Sequence, residues 1–314
     1  MALKNRFIWL LCTMILAAGI FMFYGGIASE YIMERRAFKL LTIVMVSCCV
    51  AYSSVIFQTI TANKILTPAI MGFEAVYLLF QTAIVFFYGD KTFQVLSNGE
   101  NFLLSVFFMI LFALLMYFLI FKKGNNNLYL LLLIGLVMGT LFSTLSSFMQ
   151  LVIDPNEFSI IEGKMFASFN RINMNLFWLS MGTLALVFLI GHRYIKYLDV
   201  IALGKENAIN LGVRYDRVVR LYLLLISVLV AVSTALVGPI TFLGILVTNL
   251  TYELFKTHRH SILISACCVV SCISLICGQF LVENVFNFST TISIIINFLG
   301  GVYFLFLLMK TQKA

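Results

Sequence analysis

Long stretches without a charged side chain dominate this sequence, among them residues 102–121, 128–151 and 261–281. A stretch of about 20 apolar residues can cross the hydrocarbon core of a bilayer. In lipid each stretch must satisfy its own backbone hydrogen bonds, which a helix does. The chain is 62% hydrophobic and only 11% charged, which leaves too little polar surface to cover a soluble domain. The sequence therefore predicts an all-α polytopic membrane protein.

About ten membrane-spanning helices are predicted, with ends placed to within about 2–4 residues. They lie at residues 8–24, 38–62, 70–88, 102–121, 128–151, 176–190, 218–237, 240–255, 261–281 and 289–308. The stretch 8–24 follows two basic residues, as a signal peptide would, but it is long and ends without a small-residue cleavage site. We therefore interpret it as the first span.

One long apolar stretch is interrupted by Gly238-Pro239, and charge decides how to divide it. The flanking segments 191–217 and 256–260 are both basic. If both lie in the cytoplasm, an even number of spans must separate them. Two spans joined by a tight turn at Gly238-Pro239 are therefore predicted.

The distribution of basic residues predicts the orientation. With both termini in the cytoplasm, the inside set is Lys4, Arg6, Lys64, Lys122, Lys123, Arg193, Lys196, Lys205, Arg214, Arg217, Arg220, Lys256, Arg259, Lys310 and Lys313. The outside set is Arg35, Arg36, Lys39, Lys91, Lys164 and Arg171. This bias follows the positive-inside rule and predicts a multi-pass protein of the bacterial cell (inner) membrane. It also accounts for the net charge of +8 without invoking nucleic acid.

Two connecting segments are long enough to contain structure of their own. The predicted outer segment 154–175 has room for a short surface helix, which could meet a partner or cover a pore. The predicted inner segment 191–217 contains the polar, helix-forming stretch 203–212. The chain otherwise lacks any sequence that would form a soluble domain, so residues 1–314 are expected to form a single transmembrane domain.

The sequence contains none of the residue clusters that catalysis would need. Gly204-Lys205 is followed by Glu206, so the phosphate-binding loop of an ATPase is absent. The seven cysteines lack metal-ligand spacing, and paired carboxylates do not occur within the predicted spans. We expect that the chain is not an enzyme and binds neither metal nor cofactor. If transport is driven by ATP, other subunits must hydrolyse it.

Ionisable residues inside spans usually mark ion-coupled transport, and here they are scarce. Glu74 is the exception, and its place in the first helical turn favours an interaction with the positive end of the helix dipole. Transport powered by another subunit is therefore favoured over a stand-alone secondary transporter of a small solute, which remains the alternative. A membrane enzyme, the third possibility, would need a catalytic cluster.

Polar and small residues punctuate the spans. Gln58, Thr59 and Asn249, as well as Gln150, could line a translocation path or bond between helices, and both interpretations stay open. Glycines 135 and 139 are spaced as GxxxG, which permits close approach of another segment.

Several motifs occur in a family's order and spacing. They are RAFK at 36–39, NKILTPAIMG at 63–72, LGKENAINLGV at 203–213, VGPITFLGILV at 237–247 and LGGVYF at 299–304. Together they resemble the permease subunits of iron–siderophore and cobalamin ABC importers, and look most like those for catechol-type siderophores. Thr248-Asn249 stands where that family has Pro-His, and Val302 where it has proline.

The resemblance implies ten helices per subunit and a dimer of identical or paralogous permeases. It also implies two cytoplasmic ATPase subunits and an extracytoplasmic binding protein. Within residues 198–216 it implies ATPase coupling through Gly204, Glu206, Ala208, Leu211 and Gly212. It implies docking of the binding protein at Arg36 and Lys39. Iron–siderophore complexes are the favoured substrate, while haem and cobalamin remain open.

Overall fold

The structure is a computed structural model that describes residues 2–24, 30–121, 128–170 and 172–311. In this part of the chain 13 α-helices form, without any strand. Of the basic residues used to predict orientation, Lys122, Lys123, Arg171 and Lys313 lie outside the described residues, as does the Lys310 side chain.

The helices follow one another with short connections. The first seven are α1 (Ala2–Phe23), α2 (Glu30–Thr61), α3 (Phe73–Tyr88), α4 (Thr92–Val95), α5 (Asn98–Phe121), α6 (Leu128–Val152) and α7 (Pro155–Met165). The remaining six are α8 (Met174–Ile201), α9 (Lys205–Asn210), α10 (Tyr215–Val237), α11 (Leu243–Leu254), α12 (His260–Asn284) and α13 (Ile292–Thr311). Two 3-10 turns precede and follow α3, at Pro68–Met71 and Gly89–Lys91.

Among the described residues, seven helices are long and apolar enough to cross a membrane, namely α1, α2, α5, α6, α8, α10 and α12. Three further predicted spans are also helices, but α3 has 16 residues and α11 has 12, and the apolar part of α13 whose side chains are described without a gap, residues 292–306, is shorter than a span. The chain is thus an all-helical, multi-pass membrane protein, as predicted.

Two helices extend well past their predicted spans. The helix α2 begins at Glu30 rather than at residue 38, and α8 continues to Ile201 rather than ending at residue 190. Hydropathy locates only the part of a helix that lies in lipid. Outside lipid, polar residues can continue the same backbone hydrogen bonding, so the predicted inner segment is shorter than the sequence suggested.

The predicted break at Gly238-Pro239 is confirmed. The helix α10 ends at Val237, and Gly238 adopts a φ of +104°. Residues other than glycine rarely adopt this φ, because their Cβ clashes with the backbone. A Cβ at this position would also lie 2.9 Å from the Phe166 carbonyl oxygen. Glycine therefore satisfies both the backbone turn and the close approach.

The predicted surface helix in segment 154–175 is also confirmed, as α7. Its N-cap is Asp154, whose side chain accepts a hydrogen bond of 2.8 Å from the Asn156 N–H. Ile161 anchors the helix, because it is fully buried against Val85 and Ile153.

Backbone packing divides the chain into two compact units. Unit 1 comprises residues 1–55, 168–171 and 240–314, in which α12 packs against α1, α11 and α13. Unit 2 comprises residues 56–167 and 172–239, in which α3 packs against α5, α6 and α7, and α10 packs against α5 and α8.

Candidate functional site

The segment between α8 and α10 forms the short helix α9, bounded by two glycines with left-handed backbones. Gly204 has a φ of +100° and Gly212 a φ of +82°. The Ala208 N–H donates to the Gly204 carbonyl, and the Val213 N–H donates to the Ala208 carbonyl, both at 3.0 Å. The glycines thus allow the chain to leave α8, form the six-residue helix α9 and enter α10.

The helix α9 has a buried side, and exposed apolar residues lie within it and at both of its ends. Ala208 is fully buried, and α9 packs against α8 and α10. Leu203, Ile209 and Leu211 are 59%, 51% and 64% exposed, although they stand in a polar segment. Exposed apolar patches of this kind mark interaction surfaces.

Of the two charged residues at the start of α9, Lys205 contacts another residue of the chain and Glu206 faces outward. The Lys205 ammonium lies 5.9 Å from the centre of the Tyr215 ring, close enough for a cation–π contact with the first turn of α10. Glu206 is exposed and makes no ion pair within the described part of the chain. Its carboxylate is therefore free to meet a partner.

Arg36, predicted to dock a binding protein, holds the end of α1. Its guanidinium donates to the carbonyls of Met22 at 2.9 Å and Tyr24 at 3.0 Å. These carbonyls lie at the C-terminal end of α1, where backbone carbonyls have no N–H partner within the helix. The adjacent Arg35 is exposed and lies over the Tyr31 ring at 5.0 Å.

Lys39, the second predicted docking residue, is paired within unit 1. It forms a salt bridge with Glu283, and the two side chains are only 16% and 14% exposed. The Gln279 amide donates to the same carboxylate oxygen at 2.7 Å. This network was not predicted from the sequence, because α2 and α12 are far apart in the chain.

The predicted path residues are bonded to backbone close to them. The Gln58 amide donates to the Lys64 carbonyl at 2.8 Å, and the Asn249 amide donates to the Ile245 carbonyl at 2.9 Å. Both side chains are buried. Thr59 is half-buried near the end of α2, and its carbonyl accepts from the Ala62 N–H. Local structure thus explains part of the polarity at these positions.

Gln150 bonds between helices. Its amide donates to the hydroxyls of Thr82 and Ser146 at 3.2 and 3.1 Å, which ties α6 to α3. Glu74 lies in the first turn of α3, where a carboxylate meets the positive end of the helix dipole. Within the described residues, no group of three or more His, Cys, Asp or Glu residues could hold a metal ion.

The helix α6 carries exposed hydroxyls on one side, a feature that the sequence analysis missed. Thr140, Thr144 and Ser147 are exposed and share a side, because residues three and four apart project together. Each bonds a carbonyl of its own helix at 2.8–2.9 Å. The positions one residue further along, Leu141, Leu145 and Phe148, form a separate exposed apolar side. The spacing of Ser and Thr by three and four residues within this apolar stretch could have indicated a hydroxyl-bearing side of the helix.

These features define a polytopic helical membrane protein with a short helix between two long ones. Comparison with known proteins places it further: the chain belongs to the FecCD transport family, whose model matches residues 8–310. That family consists of permeases of ABC importers, so the protein is a transport subunit and not an enzyme.

Individual relatives are similar over almost their whole length. The chain is 50% identical over 300 residues to the petrobactin import system permease protein YclO of Bacillus subtilis (strain 168), covering 96% of this chain and 95% of YclO. It is 30% identical over 320 residues to the petrobactin import system permease protein FatC of Bacillus anthracis, covering 98% and 90%.

A solved structure shares the fold. It is an inward-facing conformation of an ABC transporter described as of the metal-chelate type. The superposition covers 98% of this chain and 99% of the chain in that structure, with a TM-score of 0.85 at 22% sequence identity.

Proposed function

We propose that this permease carries iron–siderophore complexes into the cytoplasm across the bacterial cell (inner) membrane. The observation that carries the proposal is the segment around α9, which exposes Leu203, Ile209 and Leu211 between two membrane-length helices. Both relatives above are petrobactin import permeases, which favours a siderophore of that kind as the cargo.

The energy comes from two cytoplasmic ATPase subunits that bind and hydrolyse ATP, while this chain binds none. The exposed Ile209 of α9 and the flanking Leu203 and Leu211 fill a groove of the ATPase, and Glu206 pairs with a basic residue there. Gly204 and Gly212 let the two backbones approach closely. Because Ala208 seats α9 on unit 2, movement of the ATPase is passed to α8 and α10.

On the outer face an extracytoplasmic binding protein docks at Arg36 and Lys39. Complementary charges steer such an encounter and set its register. Lys39 already has a carboxylate partner in Glu283, so an acid of the binding protein must compete with it or join the pair. Arg36 keeps α1 in place while its remaining donors face the partner.

The permease works as a dimer, with ten spans per subunit, both termini in the cytoplasm and residues 1–314 acting as one permease domain. The hydroxyl side of α6 is our candidate for the path wall, because it is polar and exposed on a membrane-length helix. Gln58, Thr59 and Asn249 are further candidate residues of the translocation path.

The test is uptake of ferric petrobactin by cells that lack the gene and carry restored copies. We expect the wild-type copy to restore uptake and Leu211→Asp to abolish it, because a carboxylate cannot enter an apolar groove. Asn210→Asp is the matched control, since it adds the same charge on the exposed neighbouring residue. Glu206→Ala should reduce uptake, whereas Glu162→Ala, an exposed acid on α7, should not.

Pull-down of the ATPase distinguishes a loss of ATPase binding from a loss of transport alone. Leu211→Asp should lose the ATPase at an unchanged level of membrane protein. If Leu211→Asp retains both the ATPase and uptake, α9 is not the coupling element. If wild-type copies fail to restore uptake of any iron chelate, the assigned cargo is wrong.

A further inference from the structure

Two basic segments from distant parts of the chain meet at one end of unit 1. The first turns of α1 carry Lys4 and Arg6, and the connection from α11 to α12 carries Lys256 and Arg259. The Arg6 guanidinium donates to the Leu254 carbonyl at 2.8 Å, so the two segments are in direct contact.

Apolar packing holds this contact in place. Phe255, Leu263 and Ala266 form a buried cluster where α11 ends and α12 begins. Phe7 and Leu10 of α1 pack against that cluster. The basic residues are therefore fixed by a small core rather than brought together by a chance contact of exposed side chains.

The charge at this end is strongly one-sided. Lys4, Arg6, Lys256 and Arg259 are all exposed, and Glu253, also exposed, is the one acid in segments 1–10 and 250–260. His258 is exposed as well, while His260 is buried. In the part of the chain that the structure describes, Lys4, Arg6, Lys256 and Arg259 form no salt bridge with a carboxylate.

A tryptophan stands beside the cations on the surface of α1. Trp9 is 74% exposed, and it shares a side with Arg6 because the two are three residues apart. Very little of α1 is buried against the rest of the chain. Tryptophan at such a place is typical of the membrane–water interface, and Lys and Arg reach from there to the headgroups.

We propose that this end of unit 1 binds the headgroup of an anionic phospholipid. Lys4, Lys256 and Arg259 contact its phosphate, and Trp9 lies against the adjoining acyl chains. A clustered positive surface next to an aromatic interface residue fits such a lipid, because it meets both the anionic headgroup and the apolar tail. The bound lipid bridges α1 to the start of α12.

The two tryptophans of the chain provide the test. Trp178→Phe leaves Trp9 as the reporter, whereas Trp9→Phe leaves Trp178, which lies on α8 in unit 2. Each variant is placed in phosphatidylcholine vesicles that contain a minor fraction of brominated phosphatidylglycerol or of brominated phosphatidylcholine. Bromine quenches the fluorescence of a tryptophan that it contacts.

We expect brominated phosphatidylglycerol to quench Trp9 about threefold more than brominated phosphatidylcholine, and the two lipids to quench Trp178 equally. The triple substitution Lys4→Gln, Lys256→Gln and Arg259→Gln should remove the preference. The triple substitution Arg193→Gln, Lys196→Gln and Arg217→Gln, on exposed residues of unit 2, should leave it intact. Soluble glycerol phosphate should not compete, which distinguishes a lipid from a free phosphate.

Equal quenching of Trp9 by the two lipids in the Trp178→Phe variant with all four cations intact would overturn the proposal and leave the cations as orientation signals only. A preference for phosphatidylglycerol at both tryptophans would also overturn the proposal. Such a result would reflect attraction of anionic lipid by the net positive charge of the protein rather than by this site. If the glutamine triple fails to fold, Lys4→Arg, Lys256→Arg and Arg259→Lys should retain the preference. Because transport is not measured, the result is independent of the proposed cargo.

Discussion

Gly139 and Gly72 bring the backbone of α6 into contact with the turn that precedes α3. A Cβ on Gly139 would lie 3.1 Å from the Gly72 Cα, and one on Gly72 would lie 3.0 Å from the Gly139 Cα. Gly135 approaches Met71 equally closely. The GxxxG spacing in α6 therefore accommodates a neighbouring turn of the same chain, which is a more specific role than its sequence indicated.

Substitution of these glycines should destabilise the protein in a graded manner. Gly139→Ala forces two backbones apart and should cost about 1–3 kcal/mol. Gly72→Ala should cost more, because it adds strain at a φ of +85°. Thermal unfolding in detergent measures both.

Gly182→Ala is the control for that series. This glycine also lies in a long helix, but a Cβ there would have no atom within 4 Å. Stability should be unchanged or slightly increased, since alanine favours helix. If Gly139→Ala behaves like Gly182→Ala, the contact between α6 and the turn is looser than described.

The Lys39–Glu283 pair should show strong thermodynamic coupling. Either Lys39→Met or Glu283→Leu leaves a charge in a largely buried place, so each should lower the apparent stability by about 2–4 kcal/mol. The double substitution should recover much of the loss, because neither charge remains. Thermal unfolding of the four proteins in a double-mutant cycle gives the coupling.

Arg35→Ala provides the comparison at an exposed site. Its cation–π contact with Tyr31 is open to solvent, so the loss should stay below about 1 kcal/mol. Additive effects at Lys39 and Glu283 would show that the two side chains do not stabilise each other.

Adjacent residues of α3 bond to different helices. The Gln81 amide donates to Asn101 and Ser105 of α5 at 2.8 and 2.9 Å, whereas the Thr82 hydroxyl bonds to Ser146 of α6 at 2.8 Å. Gln81→Leu and Thr82→Val should each cost about 1–3 kcal/mol by leaving buried polar groups unpaired.

The two losses should be nearly additive, because the partners of Gln81 and Thr82 are separate. Thr183→Val is a suitable control, since that hydroxyl is exposed and bonds only within α8. A loss as large for Thr183→Val as for Thr82→Val would indicate that interhelical bonding is not the cause.

The hydroxyl side of α6 can be tested in transport. Ser147→Leu, which replaces a hydroxyl by a bulky apolar group, should slow uptake of ferric petrobactin about tenfold if that side lines the path. Leu145→Phe, on the apolar side, should leave uptake unchanged. Both proteins should reach the membrane at wild-type levels, and equal uptake by both would remove α6 from the path wall.

The sequence was sufficient to identify the membrane class, the break at Gly238-Pro239 and the short helices α7 and α9. These features depend on local physics. Lipid requires each span to be apolar and helical, and a glycine–proline pair or a polar stretch ends a span wherever it occurs. The family motifs were legible for the same reason, since each lies within one short segment.

Partners across the fold were not predictable. The pairing of Lys39 with Glu283, the capping of α1 by Arg36 and the contact between Gly72 and Gly139 each join segments that a single sequence does not relate. The hydroxyl and apolar sides of α6 were likewise indistinguishable by composition, because which side of a helix is buried depends on its neighbours. Sequence alone determined which segments enter the membrane, whereas tertiary packing decided which side chains meet, since distance in space is set by the whole fold.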